Sequence, residues 1–258
     1  MDRGGPFATK LSRFIPLSDG DVRFLDALCI DEERFEAGAD VVRQGDVPRS
    51  AFVLTHGMAC RYRLLPEGKR QILTFLIPGD VFDLHAFLLE AMDHSVGTLV
   101  PTRLAPISRA TVFDLFDRHP RIGAALWCSA LQEEAINRER IVALGRRSAR
   151  GRVAYLLCEL VWRQRAVGLA EDYAIRLPLT QVELADTLGL TAVHVNRILQ
   201  RFRRDNIITL TRRRLTLLDI ERLEEIAGFN QDYLHLSGAP PEARRYIEVR
   251  EHNRRRVC

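Results

Sequence analysis

One short stretch, LGLTAVHVNRILQRF at residues 188–202, places polar and apolar side chains on opposite faces of one predicted helix. Its apolar positions recur at the three- and four-residue steps of an amphipathic helix: Val195, Ile198, Leu199 and Phe202. The opposite face carries Val193, Asn196 and Arg197. An arginine can donate two hydrogen bonds to guanine O6 and N7, an asparagine can bond a base or a phosphate, and a valine can contact a thymine methyl group. We therefore predict that these three residues read base edges in a DNA major groove.

The residues before this stretch predict the helix that would position it. Thr180 begins the sequence TQVE, in which Thr180 and Glu183 can form a capping box at a helix N-terminus. Gly189 suits a tight turn, and Thr191 suits the N-cap of the second helix. The small residue Ala185 lies where the two helices would cross. This spacing is that of a helix-turn-helix.

Two strand-like runs, IITL at 207–210 and RLTLL at 214–218, flank an arginine-rich turn and predict a basic two-stranded wing. Seven arginines between residues 197 and 214 stand against one acid, Asp205, whereas the whole chain has a net charge of only +4. Such a local basic patch favours binding to a polyanion. The predicted DNA phosphate contacts are Thr180, Thr191, His194, Arg201, Arg212 and Arg213.

The composition is that of a globular chain with an ample core, because 47% of the 258 residues are hydrophobic. No run approaches the roughly 18 apolar residues of a membrane span, and the N-terminus lacks the apolar segment of a secretory signal. We therefore predict a cytoplasmic protein with no membrane partner. The five cysteines are scattered and form no C-x-x-C pair, which disfavours a zinc site or a disulfide framework. Neither a metal nor a cofactor is expected.

Residues 33–112 have a distinct sequence pattern, in which short apolar runs alternate with turn signals at roughly 8–12-residue spacing. This pattern predicts a β sandwich or barrel, and we assign residues 18–118 to it. Ser18 and Asp21 are predicted to cap a short helix at its start. Residues 1–17 are predicted to be a flexible arm.

From residue 119 the hydrophobic period becomes helical, and residues 119–147 are predicted to form one long helix. Its apolar surface is wider than one packing face needs, which favours a second copy of the chain as a partner; a buried helix in a monomer is the alternative. The predicted dimer residues are Ile122, Leu126, Ala130, Ile136, Ile141 and Leu144. Residues 145–148 are a predicted hinge, residues 148–228 a DNA-binding domain, and residues 229–258 a C-terminal extension.

Two segments resemble the Crp/Fnr family of bacterial transcription regulators: TQVELADTLGLTAVHVNRILQRFRRDNII and AGADVVRQGDVPRSAFVLTHGMACRYRLLPEGKRQILTFLIPGD. The resemblance extends over about residues 12–220. It implies an α+β fold with an N-terminal β jelly-roll effector barrel like a cyclic-nucleotide-binding domain, a long dimerisation helix and a C-terminal winged helix-turn-helix. It also implies base reading at Val193, Asn196 and Arg197. Members of the family commonly have a glutamate in place of Val193, so a different half-site sequence is expected.

The effector end departs from the family pattern for cyclic AMP. Members that bind it have a glutamate for the ribose and an arginine for the phosphate, where this chain has Leu84 and His94. A leucine accepts no hydrogen bond and a neutral histidine is a poor phosphate clamp, so cyclic AMP is not the expected effector, which stays unknown. The predicted pocket residues are Asp83, Leu84, His85, His94 and Ser95. Their histidines and aspartates fit no established metal or haem spacing, and Cys29 alone in the first 59 residues disfavours an iron–sulfur cluster.

Together these patterns predict a homodimeric transcription regulator on a near-palindromic double-stranded DNA site, with half-sites about 34–36 Å apart. The barrel would change how the long helices pair and so rotate the DNA-binding domains about residues 145–148. RNA polymerase is a further candidate partner. Two alternatives stay open: a barrel that serves only as a dimerisation scaffold, and a small-molecule-binding module whose winged helix contacts proteins. An enzyme is the weakest alternative, because no nucleophile–base constellation, glycine-rich phosphate loop or metal motif is present.

Overall fold

A computed structural model describes residues 4–47, 49–84 and 86–241. The helices are α1 (Pro6–Phe14), α2 (Asp19–Leu28), α3 (Arg109–Arg118), α4 (Pro120–Arg146), α5 (Ala149–Ala166), α6 (Gln181–Leu188), α7 (Ala192–Arg204) and α8 (Ile220–Ala227). The strands are β1 (Glu33–Phe35), β2 (Asp40–Val42), β3 (Ser50–His56), β4 (Ala59–Leu64), β5 (Arg70–Leu76), β6 (Val81–Phe82), β7 (Ser95–Thr98), β8 (Thr102–Ser108), β9 (Ala174–Arg176), β10 (Ile208–Thr211) and β11 (Arg214–Leu217). None of the helices in these ranges is long and apolar enough to cross a membrane.

The predicted barrel consists of two four-stranded antiparallel sheets, ordered β1-β8-β3-β6 and β2-β7-β4-β5. Its turns depend on glycine where a side chain would collide. Gly57, between β3 and β4, has a φ of 94°, and a Cβ there would lie 2.7 Å from the carbonyl oxygen of Pro101. The α+β class is confirmed, with the barrel first and the helix-turn-helix last.

The prediction of a flexible N-terminal arm over residues 1–17 is wrong for the described part. Residues PFATKLSRF form α1, which begins at Pro6, a residue suited to the first helical turn. Phe7, Leu11 and Phe14 recur at helical spacing and are buried in a core with the start of α4. The helix was missed because its apolar stripe has only three large residues, too few to stand out without the surface that covers them.

The long helix α4 agrees with the predicted span, but its predicted dimer face is partly wrong. Ile122, Leu126 and Ile136 are buried within their own chain. Ala130 is exposed, Ile141 is 72% exposed and Leu144 is half-buried. Ala130 and Ile141 belong to a stripe that is exposed in the single chain, which we call the α4 stripe: Trp127, Ala130, Leu131, Ile141 and Val142.

The predicted hinge at 145–148 narrows to two residues, since α4 continues through Gly145 to Arg146. Arg147 is extended and Ser148 caps α5 through the amide of Gly151. Arg147 is also held in place, because it donates to the Ala227 carbonyl (3.2 Å) and stacks 3.9 Å from the Tyr155 ring centroid. One glycine in a long helix costs only about 1 kcal/mol, which α4 tolerates.

One apolar core joins the barrel to the DNA-binding domain. Ile72 and Phe75 of β5 belong to the same buried cluster as the α5 side chains and the helix-turn-helix core. Two polar contacts lie beside it: Arg70 Nε donates to Asp186 Oδ2 of α6 (2.9 Å), and the Gln71 amide donates to the Thr187 carbonyl (3.2 Å). The two domains therefore share a continuous interface in this conformation.

The predicted extension is described only as far as residue 241. A 3₁₀ turn at Gln231–Leu234 packs on α5, where Phe229 and Tyr233 contact the Tyr155 ring at centroid distances of 5.0 and 5.8 Å. Leu234 is fully buried. Residues 1–3 and 242–258 lie outside the described residues.

Candidate nucleic-acid interface and effector pocket

The helix-turn-helix is built by the local contacts that the sequence predicts. Thr180 Oγ1 accepts from the Glu183 amide (3.2 Å), and Glu183 Oε2 accepts from the Thr180 amide (2.6 Å). Gly189 ends α6 in the left-handed region with φ 62°. Thr191 Oγ1 then accepts from the His194 amide (3.2 Å) and starts α7. Each terminus is thus fixed by its own residues, which sets the angle between α6 and α7.

The two faces of α7 separate as predicted. Val195, Leu199 and Phe202 are buried, whereas Val193 is 62% exposed and Arg197 is exposed. Most of the Val193 side chain is thus open to solvent, on a helix that carries four arginines. The helix therefore presents a slim apolar side chain and an exposed guanidinium side by side.

Asn196 is less exposed than the sequence predicts. It is half-buried, and its Oδ1 is buried without a hydrogen-bond partner among the residues that the structure describes. A buried amide oxygen without a hydrogen-bond donor lowers stability, so a donor that reached Asn196 Oδ1 would remove this cost. Base reading by Asn196 stays a prediction, with its amide reachable only in part.

The predicted phosphate contacts all lie on the surface. Thr180, Thr191, His194 and Arg201 are exposed, and Arg201 lies 3.8 Å from Asp205. Arg212 and Arg213 form the tip of the wing between β10 and β11, with φ values of 50° and 63°. Glycine or asparagine is the ordinary residue in such a turn. Two arginines in left-handed backbone put two exposed cations at the tip of the wing.

Two of the predicted pocket residues, Asp83 and His94, lie together in a buried ionic cluster, whereas Ser95 accepts from the Gln44 amide and Leu84 packs against the core formed with α1 and α4. Asp83 and His94 are both more than nine-tenths buried, Ser95 is buried and Leu84 is half-buried. His85 lies outside the described residues. The centre of the cluster is Arg61 of β4, whose Nε lies 3.0 Å from His94 Nε2 and whose Nη2 lies 3.1 Å from Asp83 Oδ1.

Arg61 is not among the residues predicted from the sequence. The alternation of polar and apolar side chains in ACRYRLL does not show whether Arg61 or Arg63 points into the barrel. Arg61 Nη1 forms an ion pair with Glu133 of α4, so the cluster joins the barrel to the long helix. Burial raises the pKa of Asp83, but the hydrogen bond from His94 and the charge of Arg61 outweigh burial and hold that pKa below its ordinary value. The carboxylate is therefore charged at neutral pH.

A cavity of about 420 Å³ opens between the two sheets beside this cluster. Strand β2 of one sheet and strand β3 of the other form its walls, which places it at the mouth of the barrel. The residues that line it are Val41, Val42, Asp46, Val47, Arg49, Ser50, Phe52, Asp83 and Met92. The mouth of a β-barrel is a common position for a small-molecule site.

A second buried ionic chain ties the barrel to α5. Asp80, at the end of the PGD turn, lies 2.7 Å from Lys10 Nζ of α1 and 2.8 Å from Arg163 Nη2 of α5. Arg163 also contacts Glu159 (3.2 Å), which lies 3.1 Å from Arg140 of α4. No sequence pattern pairs residues 70 or more positions apart, so this chain of charges was not predicted.

Comparison with known proteins finds a matching family model for each half of the molecule. A model of the cyclic nucleotide-binding domain matches residues 32–119, and a model of the Crp-like helix-turn-helix domain matches residues 151–226. The nitrogen fixation regulation protein FixK of Bradyrhizobium diazoefficiens is 31% identical over 196 residues, which are 75% of this chain and 81% of that protein. The chain belongs to the Crp/Fnr family.

Other Crp/Fnr proteins agree in sequence and in fold. The transcriptional activator protein FnrL of Cereibacter sphaeroides is 30% identical over 202 residues, 77% of this chain and 81% of that protein. The structure of FixK2 from Bradyrhizobium japonicum matches with a TM-score of 0.68 at 24% identity, covering 78% of this chain and 98% of that one. As a Crp/Fnr member, the chain is a transcription regulator with a helix-turn-helix DNA-binding domain. Its relatives are regulators, which confirms that it is not an enzyme.

Proposed function

We propose that this Crp/Fnr chain acts as a homodimer on a near-palindromic DNA site and answers to a signal other than cyclic AMP. The observation that carries the DNA-reading part is the exposed pair Val193 and Arg197 on a helix capped by Thr191, in the same domain as an arginine-tipped wing. The helix N-terminus and the wing cations favour phosphates. Arg197 supplies the donor pair that reads a guanine.

The dimer is supported by the α4 stripe. Trp127 is 70% exposed and Ile141 is 72% exposed, on a 27-residue helix whose other side is already covered by its own chain. Trp127, Leu131, Glu134, Arg138 and Ile141 follow one another at steps of three or four residues, the period of a coiled-coil seam. Two such helices would pair the chains and set the two α7 helices one DNA turn apart.

A signal other than cyclic AMP is supported by the interior of the barrel. Arg61 is a buried cation in the barrel interior, but its charge is already neutralised by Asp83 and Glu133. An added phosphate would meet two carboxylates. The effector-independent scaffold is the second candidate, favoured by the same cluster because it joins barrel to α4 without any ligand. A cytoplasmic location and contact with RNA polymerase stay predictions.

The test is selection of DNA sites from a randomised duplex pool by the full-length protein, without ligand and with cyclic AMP. We expect a two-fold-symmetric site to be enriched equally in both. Arg197→Ala should weaken the free energy of DNA binding by about 1–3 kcal/mol and relax the sequence preference at one base pair in each half-site. Arg118→Ala, an exposed barrel arginine, is the matched control and should change nothing. Unchanged specificity in Arg197→Ala, or enrichment only with cyclic AMP, would contradict the corresponding half of the proposal.

A further inference from the structure

The segment after α8 crosses from the DNA-binding domain toward the barrel, and we call residues 229–239 the strap. Its start is fixed locally, because Gly228 ends α8 in the left-handed region (φ 56°) and the Phe229 amide donates to the Glu224 carbonyl (2.9 Å). The strap follows residue 226, where the match to the helix-turn-helix model ends. It therefore lies beyond the part of the DNA-binding domain that the family model covers.

The strap contacts three helices from different parts of the molecule. Leu234 is fully buried, and its carbonyl accepts a hydrogen bond from the side-chain amide of Gln132 on α4. At the far end, the Ala239 amide donates to the Phe14 carbonyl of α1 (2.9 Å). Since α1 shares a buried core with β3, β6 and β8, this bond anchors the strap to the barrel. The third helix is α5 of the DNA-binding domain, which the strap contacts at the ring of Tyr155.

The Tyr155 ring also connects the strap to the hinge. Phe229 and Tyr233 of the strap pack on this ring at centroid distances of 5.0 and 5.8 Å, and the Arg147 guanidinium stacks on it at 3.9 Å. Arg147 is the extended residue between α4 and α5. A rotation of the DNA-binding domain about this hinge moves α5 relative to α1 and α4. The strap must then release at least one of the three helices that it contacts.

The docked strap leaves the DNA-reading surface open. With the strap in place, Val193 is 62% exposed and Arg197 is exposed on α7. Arg212 and Arg213 are exposed at the tip of the wing. The strap therefore does not act as a cover on this surface, and what it restrains is the angle between the DNA-binding domain and the barrel.

We propose that the strap fixes this angle, so that the dimer presents its two α7 helices at one spacing without a bound ligand. The proposal rests on the dimer and the DNA site proposed above. Binding of the second half-site within one complex is favoured only where the geometry matches the span of the two sites. A dimer with free hinges reaches that geometry for part of the time, and its apparent affinity falls by the same fraction. The strap should therefore control affinity for the complete site and selectivity for spacing, but not the reading of one half-site.

The first experiment replaces the buried anchor of the strap, Leu234→Asp, in the full-length protein. Affinity is measured for three duplexes: the symmetric site selected by the wild-type protein, that site with one half scrambled, and that site with two base pairs inserted between its halves. A buried carboxylate should undock the strap, while other junction contacts such as Arg70 with Asp186 stay in place. Leu88→Asp, the same change at a barrel leucine that is 76% exposed, is the matched control.

We expect Leu234→Asp to lower affinity for the symmetric site at least about tenfold, as partial loss of bivalent binding implies. Affinity for the scrambled-half duplex should stay unchanged, and the preference for the symmetric site over the lengthened site should shrink. The control should match the wild type on all three duplexes. Unchanged or higher affinity for the symmetric site overturns the proposal, and so does an equal loss on the scrambled-half duplex, because that loss indicates a damaged reading helix.

The second experiment measures amide hydrogen exchange without DNA, which reports local opening directly. Leu234→Ala is the milder variant and decides the matter where Leu234→Asp does not fold. Loss of a fully buried leucine side chain should speed exchange in the strap at least about thirtyfold, and the hinge at residues 143–152 should exchange faster as well. Unchanged exchange at the hinge overturns the proposal. So does faster exchange in Leu234→Ala with affinity and spacing preference equal to the wild type.

The failure of the strap and the failure of the regulator function give different results. A symmetric site enriched by the wild type and bound equally well by folded Leu234→Asp refutes the strap and leaves the regulator function standing. A wild type that enriches no site refutes the regulator function, while hydrogen exchange at residues 143–152 still decides whether the strap restrains the hinge.

Discussion

Arg163 is the single side chain whose loss should most weaken the junction between barrel and DNA-binding domain. It lies on α5 and donates to Asp80 Oδ2 (2.8 Å), to the Phe75 carbonyl (3.0 Å) and to Glu159 Oε1 (3.2 Å). Arg163→Met keeps the length and apolar stem of the side chain but removes all three bonds. Breaking a buried ion pair by removing one partner costs about 3–5 kcal/mol.

The structure places the cost at the lower end of that range. Asp80 keeps Lys10 at 2.7 Å, and Glu159 keeps Arg140 at 3.1 Å, so neither carboxylate is left without a cation. The Phe75 carbonyl alone loses a donor that the structure records for it. We therefore expect Arg163→Met to lower the free energy of unfolding by about 3 kcal/mol.

Urea unfolding followed by far-ultraviolet circular dichroism and tryptophan fluorescence measures this change, at one fixed protein concentration because a dimer's stability depends on it. Trp127 of α4 and Trp162 of α5 report on the two sides of the junction. The control is Arg118→Met, whose exposed partner is Asp114 one helical turn away, with an expected cost of about 0.3–0.5 kcal/mol. A cost below about 1 kcal/mol for Arg163→Met would refute the reasoning that this buried chain of charges holds the domains together.

Two further predictions follow from the α4 stripe and from the buried carboxylates. Trp127→Glu should shift the protein from dimer to monomer in light scattering, whereas Ile30→Glu, equally exposed but outside α4, should leave the dimer intact. Burial raises the pKa of Asp80, but Lys10 and Arg163 outweigh it and hold that pKa below its ordinary 3.8, as Arg61 and His94 do for Asp83. Protonation thus favours the unfolded chain, so the stability from both groups is fully present above about pH 4–5 and is lost as pH falls further; a midpoint of thermal unfolding that stays level from pH 6 to pH 3 would contradict this.

The helix-turn-helix could be predicted from sequence almost residue by residue, because its signals are local. The caps at Thr180 and Thr191 and the turn at Gly189 each depend on residues within four positions. The tip of the wing was placed correctly, but its left-handed arginines were not foreseen, since turn chemistry favours glycine there.

The effector end could not be predicted in the same way, because its contacts are long-range. Arg61 pairs with Glu133, 72 positions along the chain, and Lys10 pairs with Asp80, 70 positions along. Neither pair produces a periodic pattern in the sequence. The helical period over α4 correctly gave its length but could not divide its apolar residues between the barrel and a second chain. That division depends on α1, which covers one side and was itself missed.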